Sequence, residues 1–254
     1  AGGARPKAVV AWNPITGEFR SGQFDAPKGF EHWLLKFDGV EHDRHDEPRN
    51  EGRIEYAYHL MALSAGIRMS PCRLHEEAGR AHFMTRRFDR GEGAVRHHVQ
   101  TLCAMDHMDF GDMGAHSYGQ FLDVVHRLGL ADSDMEQAYR RMAFNVMARN
   151  LDDHTKNASF LLARGGTWTL APAYDLVFAH DPSGRWNHQH FLAVNGKHDD
   201  IARGDLLLEA ERFSIASARS ILDEVASAIV RWPEFAGSAD VPKRRTEEIA
   251  RQHR

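Results

Sequence analysis

Cysteine is scarce: Cys72 and Cys103 are the only two in 254 residues, and they form no C-x-x-C pair. That excludes a disulfide scaffold, a four-cysteine zinc centre and a dithiol redox motif, and it suits buried free thiols in a reducing cytoplasm. Also missing is any run of about 18 apolar residues able to span a bilayer, and Ala1 to Arg20 has no apolar core of a secretory signal. Positive charge is not in excess. The 32 Lys and Arg face 36 Asp and Glu for a formal charge of −4, so global charge does not point to nucleic acid as the main partner. No repeat, low-complexity segment, H-E-x-x-H helix or G-x-S-x-G elbow stands out. The 17 histidines, among them His97-His98, His180-Asp181 and His188-Gln189-His190, have no complementary zinc-ligand set and are expected on solvated loops and strands. What is present, 42% hydrophobic and 27% charged residues, describes a cytosolic globular chain with one sizeable core or two lobes.

The chain changes character along its length. Short β-type runs and turns dominate up to about Arg90, and helical periodicity dominates from about Tyr118, so two lobes are expected, 1–90 and 91–254. Lys7 to Trp12 reads as a strand, Asn13 to Gly17 as a turn and His32 to Phe37 as a second strand. A helix capped by Asn50 follows, with Ile54, Ala57, Tyr58, Met61 and Ala62 as its apolar positions and Gly66 at the left-handed C-terminal position. Ala81 to Arg87 is the next strand, so the order predicted is strand, strand, helix, strand. Further on, Ser117 caps a helix with Tyr118, Phe121, Leu122, Val125 and Leu128 on one face, ended by Gly129. Ser133 and Glu136 form a capping box for a helix carrying Met135, Ala138, Tyr139, Met142 and Val146 into the core. Residues 205 to 231 and 242 to 254 read as helices, broken by Pro233 and Gly237-Ser238.

Chemistry concentrates in Asn150-Leu151-Asp152-Asp153-His154-Thr155-Lys156-Asn157, with Asp175 beyond a short hairpin signal. Phosphoryl transfer needs a carboxylate to accept the attacking hydroxyl's proton, and oxygen ligands for the magnesium that neutralises the phosphates. Asp152 suits the first task, and Asn157 and Asp175 suit hard Mg²⁺. Lys156 could hold the transferred phosphate as a point charge. The same residue types also suit a polar turn closed by local hydrogen bonds. Lys36 stands in an apolar strand between Trp33-Leu34-Leu35 and Phe37, where it either reaches nucleotide phosphates, steadied by a helix Glu at Glu55 or Glu51, or blunts a sheet edge. Gly2 and Gly3, before Lys7, could let backbone N–H groups approach phosphates, or form a flexible tail.

Gly-Gly-Ala-Arg-Pro-Lys, Trp-Leu-Leu-Lys-Phe, Arg-Arg-Phe-Asp-Arg, Asn-Leu-Asp-Asp-His-Thr-Lys-Asn and Leu-Ala-Pro-Ala-Tyr-Asp-Leu occur in the order seen in HipA-like proteins, and the likeness runs from Ala1 to at least Lys197. The chain thus resembles the serine/threonine kinases of bacterial toxin-antitoxin modules. The resemblance implies an α+β, protein-kinase-like bilobal fold with a small β-rich first lobe and a mostly helical second lobe. It also implies ATP and Mg²⁺ as cofactors, a helix-turn-helix antitoxin (HipB-like) as partner, DNA contact only through that antitoxin, no membrane, and a translation component such as an aminoacyl-tRNA synthetase as substrate. Carried over by position, Asp152 is the catalytic base, with His154 and Lys156 beside it in the family's loop, and Asn157 and Asp175 are the magnesium ligands. Lys36 anchors the nucleotide, Arg87 and Phe88 form the hinge that receives adenine, and Gly2, Gly3 and Lys7 belong to the phosphate loop. Two departures are notable: Arg86 replaces a Glu common in relatives, and the chain opens inside the Gly-rich loop, so that the serine relatives autophosphorylate would precede Ala1. Two further classes of function fit the same residues, a nucleotide-binding module without activity that serves as co-repressor, and a Mg²⁺-dependent phosphohydrolase. The basic tail, Lys243 to Arg245 and Arg251 to Arg254, reads as a solvated helix face or a contact for the antitoxin or its DNA.

Overall fold

The computed structural model describes residues 5–39, 50–91, 95–162, 164–184 and 186–254. Its first part is built on a five-stranded antiparallel sheet in the order β2-β1-β3-β5-β4. The strands are β1 (Lys7–Trp12), β2 (Phe19–Ser21), β3 (Glu31–Lys36), β4 (Cys72–Glu77) and β5 (Arg80–Arg86). Asn13 closes the first hairpin, its side-chain oxygen accepting the N–H groups of Ile15 and Thr16 at 2.9 and 3.2 Å. Ala78 and Gly79, both at positive φ, make the two-residue turn between β4 and β5, the conformation that matches strand twist in a tight hairpin. Trp12, Trp33, Leu35 and Met84 form a small apolar cluster on this sheet, the two indoles meeting edge to face at 5.7 Å.

Helix α1 (Glu51–Ser64) crosses the sheet and joins the main core through Ile54, Ala57, Tyr58, Met61 and Ala62. Asn50 does stand at its N-cap position, but with left-handed backbone and no side-chain capping bond. Instead the Asp38 carboxylate accepts the Glu51 N–H at 3.1 Å. At the other end Gly66, at φ +76°, allows the Gly66 and Ile67 N–H groups to bond back to Leu63 and Ala62, the paired closure of a glycine-ended helix.

The second part contains β6 (His98–Thr101), α2 (Leu102–Met105), β7 (His116–Ser117), α3 (Tyr118–Arg127), α4 (Asp132–Met147), β8 (Ser159–Leu162), β9 (Trp168–Leu170) and β10 (Leu192–Ala193). Four more helices follow: α5 (Arg203–Arg212), α6 (Ala218–Val230), α7 (Trp232–Ser238) and α8 (Lys243–Ala250). Ser117 caps α3 with a reciprocal bond pair to Gln120, which offsets orphan donors of the first turn. β6, β8 and β9 make one small sheet, and β7 pairs in parallel with β10.

Several local expectations fail for identifiable reasons. The strand order adds β2, only three residues long, and β4, whose alternation stops after His75; both are held by pairing with β1 and β5. The Ser133-Glu136 box is not made: α4 begins at Asp132, and Glu136 accepts from Ser217 Oγ at 2.5 Å. Residues 205–231 are two helices parted near Ser214, whose φ is +54°. Pro233 does not break a helix but lies in the first turn of α7, where its missing N–H costs nothing. Gly237 lies inside the same helix.

Candidate active site

Helix α4 delivers the polar loop. It ends at Met147, Arg149 turns the chain at φ +56°, and Leu151 donates its N–H to the Ala179 carbonyl at 3.0 Å. Buried and half-exposed residues then alternate from Leu151 to Thr155, which turns Asp152 and His154 outward and Asp153 inward. Asn157 closes the loop twice: its backbone N–H donates to the His154 carbonyl at 2.9 Å, and its Nδ2 to the Asp152 carbonyl at 2.7 Å. The turn reading and the site reading are therefore compatible. The local bond uses the amide nitrogen and leaves Oδ1, a hard oxygen, without a part in it.

Asp152 is half exposed, and burial pushes its carboxyl above the ordinary value. His154, whose Nε2 lies 3.7 Å from Oδ1, opposes the rise, while Asp175 and Asp153 add to it. A carboxylate raised in this way is a better proton acceptor at neutral pH than an ordinary one. Asp175 lies beyond the β8–β9 hairpin in a left-handed conformation (φ +54°). Burial works to raise its carboxyl, but the adjacent Lys36 ammonium reverses the effect and holds it below the ordinary range.

Lys36, the last residue of β3, joins the two parts. Its Nζ bonds to Glu55 Oε1 at 2.5 Å and to Asp175 Oδ1. Burial disfavours the ammonium, yet the Glu55 and then the Asp175 carboxylates more than offset that and raise its pKa. Glu55, on α1, takes the Arg5 guanidinium on its second oxygen at 2.8 Å, whereas Glu51 lies 3.3 Å from Arg5 Nε. Of the two candidate helix partners, Glu55 is the one Lys36 meets. Lys7 faces Lys36 across the β1–β3 pairing, and burial followed by the Lys36 charge lowers its pKa.

The hinge residues lie near this cluster. The Arg87 N–H donates to the His32 carbonyl at 2.9 Å, and its guanidinium grips Asp89 at 2.8 and 2.5 Å, so that side chain is engaged within its own turn. Phe88 packs on Tyr174 with ring centroids 5.8 Å apart, and the Tyr174 hydroxyl donates to the Lys156 carbonyl at 2.6 Å. A tilted aromatic contact and one hydrogen bond thus connect the candidate hinge to the polar loop. Lys156 is exposed and places Nζ over the Phe110 ring. Gly2 and Gly3 lie outside the described residues.

The sequence did not reveal the support beneath the loop. Asp153 is buried and accepts three hydrogen bonds, from Tyr118 Oη, His190 Nδ1 and the Phe191 N–H, each at 2.8 Å. His190 was expected in solvent and is instead 1% exposed. The Asp-Asp doublet was a signal that two carboxylates point to opposite sides, but nothing local identifies the partners of the inner one. Among the described residues no three His, Cys, Asp or Glu side chains gather around a common metal position. Mg²⁺ characteristically takes one or two protein carboxylates together with substrate phosphates and water, and the donor set of Asp175 and Asn157 fits that habit.

Comparison with known proteins places this geometry in context. Residues 1–250 match the family model described as HipA-like C-terminal domain. The solved structure of HipA from Shewanella oneidensis MR-1, in complex with HipB and its operator DNA, superposes over 98% of the chain and 61% of its own length, with TM-score 0.70 and 16% identity. The Helicobacter pylori proinflammatory kinase CtkA superposes over 89% of the chain and 94% of its own length, with TM-score 0.52 and 14% identity. Over 97 residues the chain is 35% identical to the kinase-named Y4dM protein of Sinorhizobium fredii, a stretch that is 36% of the chain and 22% of that protein. The α+β fold is therefore kinase-like, and the chain spans about three fifths of the solved HipA and a smaller part of Y4dM.

Proposed function

The chain belongs to the HipA-like C-terminal domain family, and from that premise we propose that it carries the catalytic core of an ATP-dependent serine/threonine protein kinase of a toxin-antitoxin module. The observation that carries this reading is the convergence of Lys36 from β3, Glu55 from α1 and Asp175 from beyond the β8–β9 hairpin in one ion-pair cluster, near enough to the Asp152 loop to act on its carboxyl. A kinase needs those three groups in one place, one to anchor phosphates, one to steady the anchor and one to meet the metal.

Bound Mg²⁺·ATP supplies the transferable phosphoryl group and the charge that neutralises its oxygens. The residues suited to hold it are Asp175 and Asn157 on the metal side, and Lys36 and Lys7 on the phosphate side. The Lys36–Asp175 ion pair supports this reading, since it marks the carboxylate as one held ionised beside a positive charge. Asp152 takes the proton from the attacking hydroxyl, and burial raises its basicity for that step. His154 is placed to stabilise the Asp152 carboxylate before transfer. Phe88, packed at a tilt against Tyr174, provides an aromatic wall beside which adenine can lie. The protein substrate is proposed to be a translation component, an aminoacyl-tRNA synthetase being one such class. A helix-turn-helix antitoxin is proposed as partner, since the Shewanella HipA is found with HipB and operator DNA.

Labelled-ATP transfer by the full-length protein tests the reading. Replacing Asp152 by Asn should abolish phosphate transfer and leave nucleotide affinity and folding in place; transfer at the wild-type rate would remove Asp152 from its role. Nucleotide binding without any phosphoprotein product would instead assign the chain to a regulatory module, and free phosphate without phosphoprotein to a phosphohydrolase.

A further inference from the structure

Asp153 is a buried carboxyl whose hydrogen-bond partners are a tyrosine hydroxyl, a histidine ring nitrogen and a backbone N–H. Its Oδ2 accepts from Tyr118 and His190, and its Oδ1 from the Phe191 N–H. A carboxylate of this kind only accepts, so the His190 ring carries its proton on Nδ1 and donates it. Three donors satisfy a buried carboxylate adequately, and the loss of one leaves an oxygen lacking a partner in a medium that penalises this heavily. His190 itself is well supported. Its N–H bonds to the His198 carbonyl at 2.9 Å, its carbonyl meets His198 Nδ1 at 3.0 Å, and the following Leu192 pairs with His116.

The bonding continues past Asp153 to the other half of the site. Tyr118 Oη accepts from Asn145 Nδ2 at 2.9 Å, and Asn145 Oδ1 accepts from Asn150 Nδ2 at 3.0 Å. The same Asn150 Nδ2 reaches the main-chain carbonyl of Asp175 at 3.4 Å. One buried network therefore runs from the inner neighbour of Asp152 to the backbone of Asp175. With Asp153 held inward, its neighbour Asp152 is turned outward, because consecutive side chains of this alternating segment point to opposite sides.

We infer that His190 is a positioning residue of the transfer site, which holds the Asp152–Asn157 loop in its working geometry by donating to Asp153. The inference rests on the kinase reading for its effect on rate, though not for its effect on the loop. His190→Leu removes the donor and keeps the bulk, whereas His190→Asn returns an N–H near the Nδ1 position. For support of a reacting group by a residue behind it, a loss of about 10–100-fold is usual. His190→Leu should lower kcat by at least about ten-fold, a larger factor than any rise in KM for ATP, because Asp152 acts only in the chemical step while Asn157 of the same loop shares nucleotide binding with Asp175, Lys36 and Lys7 outside it. His190→Asn should recover most of the rate. Amide hydrogen exchange should show residues 150–157 deprotected in His190→Leu and protected again in His190→Asn.

A His190→Leu protein that melts like wild type and keeps its kcat overturns the inference, as does equal loss in the Leu and Asn variants. If wild-type protein transfers no phosphate, the kinase reading fails, and the exchange data alone decide: unchanged protection of 150–157 in His190→Leu overturns the positioning role. If His190→Leu does not fold, Tyr118→Phe, which removes one hydroxyl from the same carboxylate, is measured in its place against the same two outcomes.

Discussion

Replacing Lys36 by Met removes one charge from the cluster that joins the sheet to the helical part, and its effect can be worked out from the surroundings. The Lys36 side chain is 8% exposed, Glu55 2% and Asp175 35%. Removing one partner of a buried ion pair costs about 3–5 kcal/mol, because an uncompensated charge remains. Two features reduce that here: Glu55 keeps Arg5 on its other oxygen, and water reaches a third of Asp175. The expected loss is therefore roughly 2–3 kcal/mol near pH 7.5, with Met filling the volume of the lysine stem. In urea that corresponds to a midpoint lower by about 1 M for an m-value of about 2–3 kcal/mol/M. The deficit should depend on pH in a definite direction. In wild type the Asp175 carboxyl is depressed, so its contribution is complete above the unfolded carboxylate pKa, about 3.9, and disappears as pH falls through the lower folded value. Without Lys36 burial is opposed only by the smaller effects of Lys7 and His154, the carboxyl rises, and protonation relieves the folded state as pH falls. Between pH 7.5 and pH 4.5 only the second effect acts, and it narrows the difference between the proteins; the first adds to the narrowing only below about pH 3.9. Urea melts of the two proteins at both pH values check this. A deficit below about 1 kcal/mol at pH 7.5, or one that widens toward pH 4.5, would refute the reasoning.

Two other perturbations follow from the same coordinates. Gly52→Ala would place a Cβ 2.0 Å from the Ala81 carbonyl oxygen, a backbone atom that cannot step aside, so α1 must shift from β5 at a cost of about 3 kcal/mol; thermal melts should show the loss, and nucleotide affinity should fall with the displacement of Glu55. His59 is buried and His253 half-buried, and burial pushes the pKa of each down to about 4. The unfolded chain therefore binds more protons between about pH 6.5 and 4, stability declines across that interval, and His59→Phe should flatten the decline by up to about 1.4 kcal/mol per pH unit, measured by urea melts in a pH series.

The parts of the site that could be read from sequence are those whose geometry is set by short chain segments. Lys36 at the end of an apolar strand and Glu55 one turn into a helix are such a pair, and the structure joins them. The Asp152 to Asn157 spacing is another, closed by two bonds within the loop itself. β1, β3, α1, α3 and α4 were legible because each carries a strong period or cap. What stayed hidden depends on distant partners. Tyr118 and His190 meet Asp153 across 35 and 37 residues of chain, and a histidine in His-Gln-His has no local mark that distinguishes burial from solvent. β2 and β4 are strands because neighbouring strands offer them hydrogen bonds: β2 is three residues long, and the alternation in β4 stops after Cys72-Arg73-Leu74-His75. Pro233 misled because proline has two meanings, a break within a helix and a favoured residue in its first turn.

Lys36 and Asp175 are 139 residues apart in sequence, and that separation has a bearing on the order of folding events. Contacts of such span carry a large loop-closure entropy and form late on the route to the native state. The bond that joins the sheet to the helical part is thus expected to form after the folding transition state, and the local β1–β2 and β4–β5 hairpins and α3–α4 pair before it. Weakening the bond should leave the refolding arm of a chevron nearly where it was and steepen the loss on the unfolding side. The lifetime of the assembled structure is then set by how slowly it opens, and the Lys36–Asp175 ion pair acts as its latch in time.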